Sequence, residues 1–224
     1  AHGRGEAFDY LLGETTSESA MDAIRQAAAR LLAAERPVIS VNGNTVVLAG
    51  KELIRVAAVI GCPIEVNLYY RTPERVSGLL DRLSQQRDAV ASEPAPGGWE
   101  GNWQEAVGSV VLLGDAADHN LPGLEGPRAK CCREGIGEAD VILVPLEDGD
   151  RCEALVATGK QVLVVDLNPL SRTAMTATVT IVDEVSRAAS ELLGEIVSGD
   201  CELSEWNNAA ALNAALEIIS DAAV

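Results

Sequence analysis

Six short, β-branched runs alternate along this chain with alanine- and leucine-rich amphipathic stretches, and few folds accommodate that rhythm. The runs lie at 37–41 (PVISV), 63–68 (PIEVNL), 109–113 (SVVLL), 140–146 (DVILVPL), 161–165 (QVLVV) and 178–182 (TVTIV). They are nearly continuous in apolar character, as expected of strands covered on both faces. The intervening stretches at 17–35, 50–60, 72–86, 150–158, 184–198 and 204–221 carry helical periodicity. Parallel neighbours need crossover connections, which helices supply. The expected architecture is therefore a Rossmann-like, doubly wound, mainly parallel six-stranded sheet with helices on both faces. It forms one α/β domain over residues 1–198. The polar, breaker-rich stretch 87–108, with Pro94, Pro96, Gly97, Gly98, Trp99 and Trp103, reads as a surface insertion. Residues 199–224 read as a C-terminal helical tail, either an appendage or a dimer element.

Charge narrows the choice of partners. Thirty-four acidic residues face 17 basic ones, a net charge of −17, and such a field repels nucleic acid and anionic membranes. Lys51, Lys130 and Lys160 are the lysines; the remaining cations are arginines. That balance fits either a halophilic cytosol or ordinary acidic drift. The halophilic alternative predicts a melting temperature that rises from low to molar potassium chloride, where the Debye length shrinks to about 3 Å. A flat or falling curve would exclude it. No apolar run approaches the roughly 20 residues of a membrane span. The five cysteines (Cys62, Cys131, Cys132, Cys152, Cys201) form no CxxC spacing, which favours free thiols in a reducing, cytoplasmic setting.

In an open parallel sheet, ligands bind beyond the carboxyl ends of the strands. Polar residues follow each apolar run here: Asn42, Gly43 and Asn44; Asn67, Tyr69, Tyr70 and Arg71; Gly114 and Asp115; Glu147, Asp148, Gly149, Asp150 and Arg151; Asp166, Asn168, Ser171 and Arg172; Asp183 and Glu184. Taken singly, NGN and EDGD are ordinary turns and helix caps. Six such ends on one edge, with three arginines among them, point to a large polar ligand. The chain has no GxxxxGK[ST] loop, no GxGxxG, no GxSxG, no HExxH and no CxxC, so the familiar phosphate-loop, serine-hydrolase and zinc chemistries have no foothold. HGRGE at 2–6 places glycines on either side of Arg4, where backbone amides and a guanidinium can approach an anion. A plain loop arginine reads the same way. Glu147, Asp148 and Asp150 are either candidates for magnesium beside a nucleotide phosphate or a solvated turn capping the next helix.

The blocks AHGRGEAFDYLLGE, PVISVNGN, IEVNLYYRTPERV, LPGLEGPRAK, VPLEDGDRCEAL and VDLNPLSRTA run in order over about residues 1–195. Together they closely resemble archaeal phosphopantothenate synthetase, the 4-phosphopantoate:beta-alanine ligases. The resemblance implies an ATP-dependent condensation of 4-phosphopantoate with beta-alanine to phosphopantothenate, AMP and pyrophosphate, on the archaeal route to coenzyme A. It also implies magnesium and a homodimer. It assigns ATP binding to Arg4, Asp166, Leu167, Asn168, Arg172, Thr173, Glu184 and Val185. Arg4 and Arg172 would act on the reacting phosphates. His2, Asn42, Asn44, Tyr70 and Arg71 are the candidates for phosphopantoate, and Glu147, Asp148 and Asp150 those for magnesium or for the beta-alanine ammonium. The family also uses an arginine in a helical segment that precedes HGRGE, whereas the sequence given opens on that motif. The other reading of the same sheet is a non-catalytic nucleotide-binding regulatory module.

Overall fold

The computed structural model describes residues 4–222, with side chains from residue 6 onward. Helices α1 (Arg4–Leu11) and α2 (Glu18–Ala33) lead into β1 (Pro37–Val41), α3 (Gly43–Ile60), β2 (Ile64–Val66), α4 (Pro73–Ala91), α5 (Trp103–Gly108) and β3 (Leu112–Leu113). An antiparallel pair, β4 (His119–Asn120) with β5 (Lys130–Cys131), flanks a 3₁₀ turn at Pro127–Ala129, and a π turn follows at Arg133–Gly137. Then come β6 (Val141–Pro145), α6 (Gly149–Ala157), β7 (Gln161–Val165), α7 (Arg172–Thr176), β8 (Val179–Ile181), α8 (Val185–Ser198) and α9 (Asn208–Ala222).

Six strands form one parallel sheet in the order β3-β2-β1-β6-β7-β8. Every strand expected from the sequence is in it. The chain winds outward from β1 to β3, returns to pair β6 with β1, and winds outward the other way. The strand order therefore reverses between β1 and β6, where a doubly wound sheet opens its ligand crevice.

Alternate side chains of each strand face opposite layers. Ile39, Val41, Val141, Leu143, Leu163 and Val165 join the larger core with α2, α3, α4, α5 and α8. Val38, Ile142, Val144, Val162 and Val164 pack on the other face against Leu155 of α6, and against Leu121, Cys131 and Ile136 of the segment between β3 and β6. All five cysteines are free thiols, four of them buried. Burial pushes the Cys131 and Cys152 thiols up to about 12.

Several boundaries differ from the sequence reading; helix α3, for one, begins at Gly43 and not at residue 50. Residues 87–108 are only partly a surface insertion: α4 continues to Ala91, and Trp103 of α5 is buried with its indole N–H donating to Val90 O at 3.1 Å. The apolar spacing there is carried by few residues, Val90, Trp103 and Val107, all of them in the larger core. The tail also packs onto the body. Leu212 and Ala215 of α9 are buried with Leu12, Ala174 and Val182. Asn208 donates to Ala174 O at 2.8 Å and accepts from Thr180 N at 2.8 Å.

Candidate functional site

The turn that follows β6 sits at the reversal of strand order and is held from both sides. Three successive carbonyls accept side-chain donors: Pro145 O from Thr45 Oγ1 at 3.1 Å, Leu146 O from Asn42 Nδ2 at 2.9 Å, and Glu147 O from Thr173 Oγ1 at 3.1 Å. The first two donors stand at the start of α3 and the third in α7. Leu146 itself adopts a left-handed backbone, φ 60°. For a leucine that conformation costs on the order of 1–3 kcal/mol and persists only where its surroundings enforce it. Asn42 also caps α3, accepting from Asn44 N at 3.0 Å and Thr45 N at 3.1 Å. Asn42 thus takes up the amides of Asn44, Thr45 and Val46 through its side chain and its carbonyl, leaving the Gly43 N–H and the exposed Asn44 side chain at the positive end of the helix in the crevice, a setting suited to anions.

A cavity of about 320 Å³ opens there, with Asn42, Asn44, Tyr70, Arg75, Arg128 and Glu147 in its wall. Arg128 is mostly buried. Its guanidinium lies 5.5 Å over the Tyr69 ring and pairs with Glu147 and Asp148, while its Nε is buried without a partner. Burial lowers its affinity for the proton, against the pull of Glu147. Its backbone is fixed by Asn67, which donates to Arg128 O at 3.3 Å and Lys130 O at 3.0 Å. A neighbouring cavity of about 480 Å³ is bordered by Arg71, Asp115 and Lys130. There Arg71 donates to Gly114 O. Gly114 has φ 142°, and a Cβ would meet Val66 O at 2.9 Å, so this position needs glycine.

Glu65 of β2 is only 1% exposed. It accepts from Cys132 N and Ile136 N, each at 2.8 Å, and so anchors the segment that carries Arg128 and Lys130. Burial raises its proton affinity, offset by those two amides and by Arg151 and Arg71.

The three carboxylates offered for magnesium do not converge. Glu147 has its side chain 1% exposed between Arg128 and Arg151. Asp148 caps α6 by accepting from Arg151 N at 3.0 Å. Asp150 is exposed and pairs with Arg172. Among the described residues no group of three His, Cys, Asp or Glu side chains is arranged to hold a metal ion. Already neutralised by arginines or bound to a helix end, these three do not fit a common cation cage.

On the β7 and β8 side, Asp166 accepts from Asn168 N at 2.9 Å and from Ser171 Oγ. Burial holds its carboxyl above the ordinary range in spite of those bonds. Asn168 accepts from Leu170 N at 3.0 Å, shaping the loop that leads to Arg172. Arg172 is exposed and lies over Gly149, where a Cβ would meet its Nε at 2.3 Å. Thr173 is buried at the central turn. Leu167 packs against the α9 cluster, and Val185 belongs to the larger core, which leaves their backbones as what they can offer a ligand. Glu184 caps α8. Burial alone would raise its carboxyl, and the bonds from Ser186 and Arg187 outweigh that and leave it low. His2 lies outside the described residues, as does the side chain of Arg4.

The polar strand ends are thus helix caps and crevice walls at once, so the two sequence readings describe the same residues. Tyr70 and Asn44 are exposed at the cavity, and Arg71 stands at the neighbouring one. Arg75, Arg128 and Glu65 are additions to the site, and Asn67, one of the polar strand-end residues, lies behind it as a support for Arg128. Arg128 lies inside the block LPGLEGPRAK, where an arginine after proline in a breaker-rich stretch was a usable signal. Nothing in the sequence marks Glu65, which sits in an apolar run, as a buried anchor.

The family model for phosphopantothenate/pantothenate synthetase matches residues 19–222, including both the 87–108 stretch and the tail. A protein of Thermococcus onnurineus named 4-phosphopantoate--beta-alanine ligase is 48% identical over 188 residues, covering 84% of this chain and 64% of the relative. One of Thermococcus kodakarensis with the same name is 49% identical over the same shares. A third, from Methanospirillum hungatei, is 45% identical over 192 residues, 86% of this chain and 70% of the relative. The chain thus spans about two thirds of the length of these relatives, 64% of each Thermococcus protein. The strand order, the crevice at its reversal and these matches agree: the chain belongs to the phosphopantothenate/pantothenate synthetase family.

Proposed function

We propose that this chain carries the catalytic fold of an ATP-dependent ligase that joins 4-phosphopantoate to beta-alanine, giving 4'-phosphopantothenate, AMP and pyrophosphate. The observation that carries this reading is the 45–49% identity to relatives named as that ligase, over most of this chain. The crevice between β1 and β6, with arginines in its wall, supports it.

A carboxylate is a poor electrophile at neutral pH. Attack of a phosphopantoate carboxylate oxygen on the α-phosphorus of ATP forms an acyl adenylate and releases pyrophosphate. The beta-alanine amine then attacks the acyl carbon, forms the amide, loses a proton and expels AMP. Such chemistry depends on placing reactants and stabilising phosphate charge more than on a protein nucleophile. Asn42, Asn44, Tyr70, Arg71, Arg75 and Arg128 are suited to phosphopantoate, and Arg172 and Arg4 to the phosphates of ATP. Asp166 is suited to ribose hydroxyls as an ionised acceptor, with Asn168 and Thr173 shaping its loop. The resemblance also implies magnesium with the nucleotide. Glu147, Asp148 and Asp150 do not fit as its joint holders, and no step here depends on them in that role.

A homodimer and a cytoplasmic setting belong to the same reading. Exposed Val47, Leu48, Leu170 and Met175 offer apolar surface for a second copy. No described helix is long and apolar enough to cross a membrane. Light scattering at the monomer mass in both low and molar salt would overturn the dimer.

Incubation with ATP, magnesium, 4-phosphopantoate and beta-alanine should yield AMP and phosphopantothenate in equal amounts, read by mass spectrometry. Accumulating ADP would overturn the adenylate route. ATP binding without any nucleotide turnover would favour a regulatory module.

A further inference from the structure

Gln86 of α4 is 7% exposed, and a glutamine that deeply buried between two helices needs an explanation. Its Nε2 donates to Val46 O at 2.9 Å, across the interface with α3. Its Oε1 is buried without a partner. Three residues after Val46, Ala49 leaves helical geometry, with φ −136° and ψ 18°. Gly50 follows, and a Cβ there would meet Gln86 Oε1 at 2.4 Å. A side chain inserted against the main-chain ladder is a recognised cause of a helix kink. Gln86 and Gly50 therefore fit one another, and together they divide α3 into a first segment, 43–48, and a longer remainder.

The first segment is the part that matters for the crevice. At its start it is tied to the β6 turn through Asn42 and Thr45. At its end it is tied to α4 through Val46 and Gln86. Asn44 and the Gly43 amide, the first-turn N–H that Asn42 does not take up, lie between these two anchors. Asn42 and Thr45 fix where the segment starts; Gln86 fixes its tilt. The uncompensated Oε1 costs free energy, as a buried polar atom without a partner does. An apolar side chain of the same length would avoid that cost and would lose the tie to Val46.

We infer that Gln86 is a positioning residue, which acts through the first turn of α3 to hold the Asn44 side chain and the Gly43 amide at the geometry that binds the anionic substrate. This rests on the reading of the crevice as the phosphopantoate site. Gln86→Met keeps length and loses the donor, while Gly50→Ala intrudes on the same contact from the other side. Each variant should raise KM for 4-phosphopantoate about tenfold, the scale of one hydrogen bond, with KM for ATP within about twofold. The double variant should do little more harm than either alone, because both remove one contact. Hydrogen exchange followed by mass spectrometry should show faster exchange at 43–48 in Gln86→Met and unchanged exchange in α8. That readout needs no turnover. If the parent protein makes no phosphopantothenate, the functional reading fails and exchange still decides whether Gln86 sets the segment. Unaltered exchange at 43–48, or equal shifts in both KM values, would overturn the proposal.

Discussion

Glu147→Ala should lower the stability of this protein by about 3–5 kcal/mol, the range seen when one partner is removed from a buried ion pair. The carboxylate is 1% exposed and faces Arg151, itself 2% exposed, and Arg128. Without it Arg151 keeps Ser40 Oγ, at 3.1 Å, as its side-chain partner, a neutral acceptor for a buried charge. At roughly 2–4 °C per kcal/mol for a chain of this size, the melting temperature should fall by roughly 6–20 °C. Asp150→Ala provides the contrast. Its pair with Arg172 is exposed on both sides, and such pairs contribute about 0–1 kcal/mol. The two residues belong to the same acidic turn, EDGD, and a shared magnesium site would give the opposite pattern: both variants would lose turnover while keeping their melting temperature. Thermal unfolding of the two proteins, with turnover measured below the transition, separates these cases. An unchanged melting temperature for Glu147→Ala would mean that the buried cluster does not hold the β6 turn in place.

EDGD shows where the sequence could be read and where it could not. Its position after an apolar run placed it at the crevice edge, because strand ends follow from apolar run length alone. Which of its carboxylates face arginines is a tertiary matter. Arg151 is local to Glu147, one helical turn on, whereas Arg128 arrives from 19 positions upstream, by way of a segment with little periodicity. That segment, 114–139, was illegible for a definite reason. Its strands are two residues long, and a buried glutamate and a buried asparagine fasten it, through backbone bonds that leave no apolar pattern. The sequence predicts helix α3 too short for a similar reason. The expected start at 50 coincides with the break at Ala49, and the segment 43–48, with Gly43, Asn44 and Thr45, looks like turn sequence until Asn42 caps it. By contrast, the sheet strands β1, β2, β6, β7 and β8 were legible because burial on both faces demands continuous apolar runs, which have no other common use at that length.

On the proposed function, Arg128→Lys and Asp166→Asn should separate 4-phosphopantoate from ATP in opposite directions. Arg128 presents a planar fork stacked on Tyr69, with an unpartnered buried Nε, in the wall of the cavity that also holds Asn42 and Asn44. An incoming carboxylate or phosphate competes with Asp148 for that fork, and Asp148 keeps on its Oδ1 the bond from the Arg151 amide by which it caps α6. Lysine retains the charge but neither the bidentate geometry nor the stacking. The loss for 4-phosphopantoate should be about 1.5–3 kcal/mol, the scale of a hydrogen bond to a charged group, or roughly 10- to 150-fold in affinity. ATP affinity should stay nearly constant. Asp166→Asn exchanges one acceptor oxygen for a donor where ribose hydroxyls need acceptors, and should weaken ATP by a similar amount while sparing phosphopantoate. Because burial already raises the Asp166 carboxyl, ATP affinity in the parent protein should also begin to fall at a higher pH than an ordinary aspartate would give, as protonation removes the acceptor. That pH dependence should vanish in Asp166→Asn. Calorimetry of each variant with each substrate across pH measures all of these at once. If Arg128→Lys weakens ATP and 4-phosphopantoate equally, Arg128 serves both ligands and the crevice at the β1–β6 reversal is not divided between them.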